Sequence, residues 1–431
     1  MKFQIYTLGC KVNTYETNVM RDALLNKGYF EVPIKENADI SIINTCTVTN
    51  VADHKSMKII RQAIRRNPDA LIIVCGCLSQ NKKEQVQNIE GVNIVLGNIH
   101  KSKIVDYIEN YFQERKKIID VRDIMNTEFE SMMLNNFNKT RAFVKIQDGC
   151  NNFCSYCIIP YTRGNVRSKK KEDVIKEITT LVNKGHQEIV LTGIHTGNYG
   201  AEFEDYKFSD LLKEIVLIHG LERLRISSIE ITEITDDVIQ VIKDSPILVD
   251  HMHIPLQSGS DSVLKRMNRK YDKKYFIEKI NLLKKIRPNI SITTDVIVGF
   301  PGETEEEFLE TTDTIQKINF SKLHVFPYSK REGTKAALME NQIDDQIKKQ
   351  RTKTLLELSK KLEMQYMNQF VGSKVIAIPE MVKDQFLVGH TGNFLNVKFM
   401  GSLEQLGNAV EIEITGVNYP YCTGFVCKKG R

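Results

Sequence analysis

The chain has 431 residues, 41% hydrophobic and 26% charged, with a formal net charge of +6. That length exceeds one ordinary core, so two to four domains are expected, and the composition is that of a soluble globular protein. No apolar run approaches the roughly 20 residues that span a bilayer, and the start MKFQIYTLGC lacks the apolar region and small-residue cleavage site of a signal peptide. A reducing, cytoplasmic setting with no membrane is therefore expected, in which nine cysteines serve as ligands or core residues rather than bridges. The net charge favours an anionic partner only mildly.

From the N-terminus, FQIYTL, ADISIINT, ALIIVCG and VNIVLG are short β-branched runs separated by helical stretches such as residues 51–66. That alternation predicts a parallel sheet with helices on its faces. Cys10, Cys46 and Cys77 each lie just past the carboxyl end of one of these strands. Such ends face one crevice, where ligands collect, so the fold is expected to assemble three remote thiols into a cluster site. Cys75, inside the run LIIVC, reads as core. Lys55, Lys58, Arg61 and Arg65 form a stripe on the helix after Cys46, with Met57, Ile60 and Ile64 toward the sheet. The stripe is either a solvated face or a contact for an anionic partner.

TEFESMMLNNFNKT has no clear period and reads as a linker. Beyond it the strands RAFVKIQ, EIVLTG, RLRISSI, DHMHIPL, ISITTDVIVG and KLHVFPYS alternate with helical segments. Six such units predict a barrel or partial barrel with its function on the loops after the strands. The first loop holds Cys150, Cys154 and Cys157 in C-x3-C-x2-C spacing within KIQDGCNNFCSYCIIPYTRG. Three cysteines cannot all pair, and bridges between such near neighbours would be strained. Structural zinc usually takes four ligands, and no matching pair follows. Three thiolates suit a 4Fe-4S cluster with one iron left open. The acidic run GETEEEF reads as the first turn of a helix beginning near Thr304.

Residues 341–370 form a long charge-rich helical stretch, after which KVIAIPE, QFLVGH, FLNVKFM and VEIEITGV alternate with turns, as in a small antiparallel barrel. Cys422 and Cys427 read as structural. Phe394 and Tyr421 are candidate loop aromatics, and Lys428, Lys429 and Arg431 make a basic tail.

GCNNFCSYCIIPYTRG resembles the cluster loop of radical S-adenosylmethionine (SAM) enzymes, and with TLGCKVN, INTCTVTN and CGCLSQ the chain resembles the methylthiotransferases over nearly its whole length. The implied α/β architecture is a methylthiotransferase N-terminal domain at 1–125, a radical SAM partial (β/α)6 barrel at 138–368 and a TRAM-like RNA-binding barrel at 372–431. LTGIHTGNYG, RISSIE, HIPLQSGS, DVIVGFPGETEEEF and HVFPYSKREGT resemble the bacterial subgroup that acts on N6-threonylcarbamoyladenosine beside the tRNA anticodon. The extra thiol Cys75 departs from the pattern and leaves open which cysteine of VCGC is a ligand; Cys77 is the expected one.

The resemblance implies that Cys150, Cys154 and Cys157 hold three irons while SAM chelates the fourth, yielding a 5′-deoxyadenosyl radical. Carbon 2 of adenine offers a C–H bond without acidity for a side-chain base, so radical chemistry is required there. A second 4Fe-4S cluster on Cys10, Cys46 and Cys77 would carry the sulfur, methylated by one SAM and inserted after a second SAM generates the radical. Tyr156, Gly193, Glu230, Asp295 and Gly299 stand where radical SAM enzymes contact SAM, each equally readable as structural. Arg163 or Arg167 would meet the threonylcarbamoyl carboxylate or pair with a structural one. Implied partners are the tRNA anticodon stem-loop, an electron donor and a sulfur donor. The alternatives are the subgroup acting on isopentenyladenosine, the one modifying a ribosomal-protein aspartate, and a noncatalytic iron-sulfur RNA-binding protein.

Overall fold

The computed structural model describes residues 1–137 and 139–427. The expected domain boundary at Asn138 and the basic tail Lys428, Lys429 and Arg431 lie outside them. The N-terminal domain is an all-parallel six-stranded sheet in the order Phe30–Glu31, Lys2–Thr7, Ile40–Thr45, Leu71–Gly76, Ile94–Leu96, Ile118–Asp120. All four expected runs are strands; the two short outer strands add edges that carry too few residues to show a period. Alternation divides the apolar residues between two faces. Phe3, Ile5, Ile42 and Ile73 meet Met20 and Leu24 on one side, while Tyr6, Ile43 and Val74 meet Ile60 and Ala63 on the other. Cys75 is fully buried on the first face, as expected of core.

Strand Lys2–Thr7 lies between Phe30–Glu31 and Ile40–Thr45, so the chain turns opposite ways after it and after Ile40–Thr45. This is a topological switch point, where helices leave a crevice at the strand carboxyl ends. Helix Asn50–Arg66 starts where the Thr49 side chain accepts from the Ala52 N–H at 3.1 Å. It buries Ile60 and Ala63 and leaves Lys55, Lys58, Arg61 and Arg65 exposed.

The central domain contains all six expected strands. Arg141–Lys145, Glu188–Thr192 and Arg223–Ile226 form one parallel sheet; His251–His253, Ser291–Val298 and Lys322–Pro327 form the next. A single parallel bridge between Leu224 and Leu248 joins them into a partial barrel. The stretch 127–140 is expected to be a linker; its described residues, 127–137 and 139–140, are irregular but docked. Met132, Leu134 and Phe137 are buried in the barrel core, and the Leu134 N–H donates to Glu177 at 2.7 Å. Helix Lys11–Asn26 joins the first two domains: Met20 and Leu24 face its own sheet, whereas Tyr15 and Val19 enter the barrel core. The Tyr15 hydroxyl donates to the Met132 carbonyl at 3.0 Å.

Helix Asp345–Asn368 packs along strand Lys322–Pro327, with Ser359 Oγ accepting from the Leu323 N–H at 3.0 Å. It leads into a closed five-stranded barrel. The fifth strand, Tyr421–Val426, closes it by pairing parallel with Asn396–Met400; the other four pairings are antiparallel. No helix among the described residues is long and apolar enough to cross a membrane.

Candidate active site

Backbone contacts hold the first cysteine loop. Gly149 has φ +76°, and a Cβ there would stand 1.8 Å from the Asn165 carbonyl oxygen, so only glycine permits this approach. The Cys150 N–H donates to Gly164 O at 3.0 Å and the Cys157 N–H to Cys154 O at 2.9 Å. Between Cys154 and Cys157, the Ser155 N–H and Oγ donate to the Met267 and Arg266 carbonyls, and Ser155 O accepts from the Ala336 N–H. Arg269 donates from Nη1 to Cys154 Sγ at 3.3 Å and pairs with Glu230. His195 hydrogen-bonds to Asn152 in the loop at 3.2 Å and pairs with Glu233. Burial pushes the Cys157 thiol up to about 12, with Cys154 adding to the rise. A thiolate at this depth calls for a bound cation, and a metal-ligating thiol is deprotonated outright, so the three sulfurs fit a metal cluster.

The second triad forms at the switch point. Gly9 has φ +99°, and a Cβ there would fall 2.8 Å from Cys46 Cβ and 2.9 Å from its Sγ, which puts that sulfur against the turn leading to Cys10. Cys77 opens helix Cys77–Asn81 and accepts from Arg163 Nε at 3.4 Å. Burial raises the Cys46 thiol to about 11, and Cys77 and Cys10 lie near enough to reinforce the shift. Behind the triad is a buried ion network. Arg163, Lys101, Lys145 and Arg167 converge on Glu16 and Asp148. Four cations against two carboxylates leave positive charge in a low-dielectric interior, which an anionic thiolate-bound cluster at Cys77 would offset. Among the described residues no three His, Cys, Asp or Glu side chains converge on a single ion. A four-iron cluster has a different requirement, since each thiolate takes its own iron.

A cavity of about 780 Å³ joins the domains. Cys10 and Lys11 line it from the N-terminal domain, Gly193 and Asp295 from the barrel, and Phe394 from the C-terminal barrel. Tyr156, Glu230 and Gly299 are elsewhere. Tyr156 packs edge-on to Phe300 at 6.4 Å in an apolar cluster with Met267 and Tyr328. Glu230 serves Arg269 behind Cys154. The Gly299 N–H donates to Glu303 at 2.6 Å, and Arg351 holds that carboxylate at 2.7 Å. Arg163 and Arg167 take the structural alternative: Arg163 bonds Glu16 and Asn13, each at 2.6 Å, and Arg167 bonds the Arg163 carbonyl.

Phe394 is not an open platform. Its ring stacks on His251 at 4.7 Å and His390 at 4.6 Å, with Arg225 and Arg141 over it. Sequence reasoning passed over Lys11, Arg141 and Arg225 as cavity residues. The available signal was positional: Lys11 follows a proposed ligand, and the two arginines lie on barrel strands.

Fold and cluster loop together define a radical SAM enzyme with a second thiol triad in a separate domain. Residues 144–315 match the model of the radical SAM superfamily, and residues 2–97 match uncharacterized protein family UPF0004. A Bacillus subtilis protein named threonylcarbamoyladenosine tRNA methylthiotransferase MtaB is 47% identical, covering 97% of this chain and 95% of its own. An Aquifex aeolicus protein of the same name is 36% identical over 96% and 100%. A Clostridium perfringens protein named tRNA-2-methylthio-N(6)-dimethylallyladenosine synthase is 37% identical over 96% and 94%. The radical SAM methyltransferase TsrM from Kitasatospora setae shares the fold, with TM-score 0.55 at 14% identity over 75% of this chain and 72% of that one. The chain belongs to the radical SAM methylthiotransferase family, a family of transferases whose cofactors are SAM and two 4Fe-4S clusters.

Proposed function

We propose that the protein converts N6-threonylcarbamoyladenosine at position 37 of tRNA, in the anticodon stem-loop, to its 2-methylthio derivative. The observation that carries this reading is the shared cavity: Cys10 opens into the space lined by Gly193 and Asp295 at the barrel strand ends. One adenine edge can therefore face both halves of the chemistry. The 47% identical MtaB relative supports the choice of substituent.

In this reading Cys150, Cys154 and Cys157 hold one cluster and Cys10, Cys46 and Cys77 the other. When bound, SAM and the clusters supply the carbon radical and the sulfur that carbon 2 of adenine requires. The chain's own part is positioning. Arg269 holds the Cys154 sulfur, His195 holds Asn152 in the same loop, and Arg163 holds Cys77. Gly193 lets Gln147 pack close to the strand end: a Cβ there would stand 2.8 Å from Gln147 Oε1. Phe394 closes one side of the cavity, which limits water around a reactive species. The reaction also implies a cytoplasmic location, an electron donor and a donor that renews the sulfur.

The second reading, an isopentenyl substituent, has the support of relatives named dimethylallyladenosine synthases. The cationic cavity wall of Lys11, Arg141 and Arg225 favours the threonylcarbamoyl group, which carries a carboxylate. The test is turnover of tRNAs that differ only at this adenosine, with thiomethylated nucleosides measured by mass spectrometry. Thiomethylation of the threonylcarbamoyl form is expected; equal or faster turnover of the isopentenyl form would sink the substrate assignment.

A further inference from the structure

The cavity wall holds an arginine with idle donors. Arg225 is 3% exposed, and its Nε donates to Glu188 at 2.7 Å, while Nη1 and Nη2 are buried without a hydrogen-bond partner. Leaving buried charged donors unmet is costly, and Arg225 lines the cavity, so its side chain points to a ligand there. Burial depresses the Arg225 guanidinium; Glu188 opposes that shift, and Arg141 and Arg223 add to it.

The surrounding charges do not balance. Arg223 shares Glu188 at 3.7 Å, and Arg141 pairs with Glu380 at 2.8 Å. Lys11 stands near enough to feel Arg141 and Arg225. Three cations thus share Glu188 and Glu380, and Lys11 adds a fourth positive charge that only Cys10 and Asp295 oppose. The cavity's other carboxylates have partners of their own: Asp295 pairs with His253 at 3.2 Å, and Glu363 with Lys322 at 2.8 Å. Phe394 braces the two arginines, its ring centre 4.8 Å from Arg225 Cζ and 5.2 Å from Arg141 Cζ. A braced, planar fork with two free donors matches a carboxylate held by parallel hydrogen bonds.

We propose that Arg225, flanked by Arg141 and Lys11, takes the carboxylate of the threonylcarbamoyl substituent and so sets substrate choice. The assignment rests on the substrate reading above. It makes rejection of an isopentenyl group a matter of unmet donors rather than of size. SAM's carboxylate and a tRNA phosphate have related chemistry, so the experiment must separate the three.

Reconstituted full-length holoenzyme is titrated with anticodon stem-loops carrying threonylcarbamoyladenosine, isopentenyladenosine or adenosine, and separately with SAM. Wild type is expected to prefer the threonylcarbamoyl form over adenosine by about ten- to a hundredfold, the range of one charge-assisted contact. Arg225→Gln should remove most of that ratio while affinity for the adenosine form and for SAM persists, and Arg225→Lys should restore part of it. Should Arg225→Gln fail to fold, Arg141→Gln and Lys11→Met read the same ratio. An unchanged ratio in the folded variants overturns the proposal. Loss of SAM affinity with the ratio intact reassigns the arginine to SAM, and an equal loss for all three stem-loops reassigns it to phosphate; either result overturns it. A wild-type enzyme without preference for the threonylcarbamoyl form defeats the underlying substrate reading, a result distinct from these.

Discussion

Arg163 Nε lies 3.4 Å from Cys77 Sγ, so a residue just after the first cysteine loop reaches the second triad in another domain. The same guanidinium bonds Glu16 and Asn13 of the N-terminal domain, and it is fully buried. Arg163→Met is therefore expected to destabilise the protein by about 3–5 kcal/mol, the usual result of stripping one partner from a buried pair. Arg163→Lys keeps the charge but loses the fork and should fall between. Denaturant unfolding reads both; a change under about 1 kcal/mol for Arg163→Met would show that Lys101 and Lys145 suffice for Glu16.

Each of Cys150→Ala, Cys154→Ala and Cys157→Ala is expected to abolish reductive cleavage of SAM, because three thiolates are the fewest that leave one iron open. The assay is 5′-deoxyadenosine formed by anaerobically reconstituted enzyme after reduction. Undiminished product from any variant removes that cysteine from the ligand set.

Replacing Cys10, Cys46 and Cys77 together by Ala should leave roughly four of about eight irons and preserve 5′-deoxyadenosine formation, with no thiomethylated nucleoside. Cys75→Ala should keep both clusters, since that thiol is buried in the sheet core among Ile42 and Ile73. Loss of one cluster in Cys75→Ala alone would exchange the roles of Cys75 and Cys77.

Deleting residues 372–431 removes more than a peripheral barrel. Phe394 leaves the cavity wall, and Arg141 and Arg223 lose Glu380 and the Ile376 carbonyl. The truncated enzyme should bind tRNA more weakly, with a shallower dependence of log affinity on log salt, and should also discriminate less between modified adenosines. Equal affinity and slope with and without the barrel would leave the exposed basic stripe of helix Asn50–Arg66 as the main tRNA contact.

Glu307 gives a pH prediction. Burial would raise its carboxyl, but bonds from Arg266 and Ser262 and the Thr304 N–H win and hold it near 2 against an ordinary 4.5. A depressed folded-state value stabilises above about pH 4.5 and loses that contribution as pH falls toward 2. The Arg266 backbone carbonyl accepts from Ser155 Oγ in the cysteine loop, so freeing the Arg266 side chain in acid should loosen that loop. Glu307→Gln should lower stability at neutral pH and flatten its fall between pH 4.5 and 2, as followed by thermal melts. A fall as steep as that of wild type would assign the acid transition to other carboxylates.

Local chemistry determined much of this protein. The strand runs, the glycine-framed C-x3-C-x2-C loop and the placement of Cys10, Cys46 and Cys77 after strands are patterns of a few residues each, set by backbone period and thiolate chemistry. The tertiary structure decided what those patterns meet. Tyr15 and Val19 dock helix Lys11–Asn26 into the barrel core, which fixes Cys10 at the mouth of the cavity. Arg163 and Arg225 look alike as sequence letters. One is spent in an ion network 147 positions from its partner Glu16, and the other keeps two donors free. Phe394, which reads as a loop aromatic, becomes a brace once its barrel closes over the barrel of the central domain. The physical reason is that burial and pairing of a charge depend on neighbours distant in the chain, which no local period encodes.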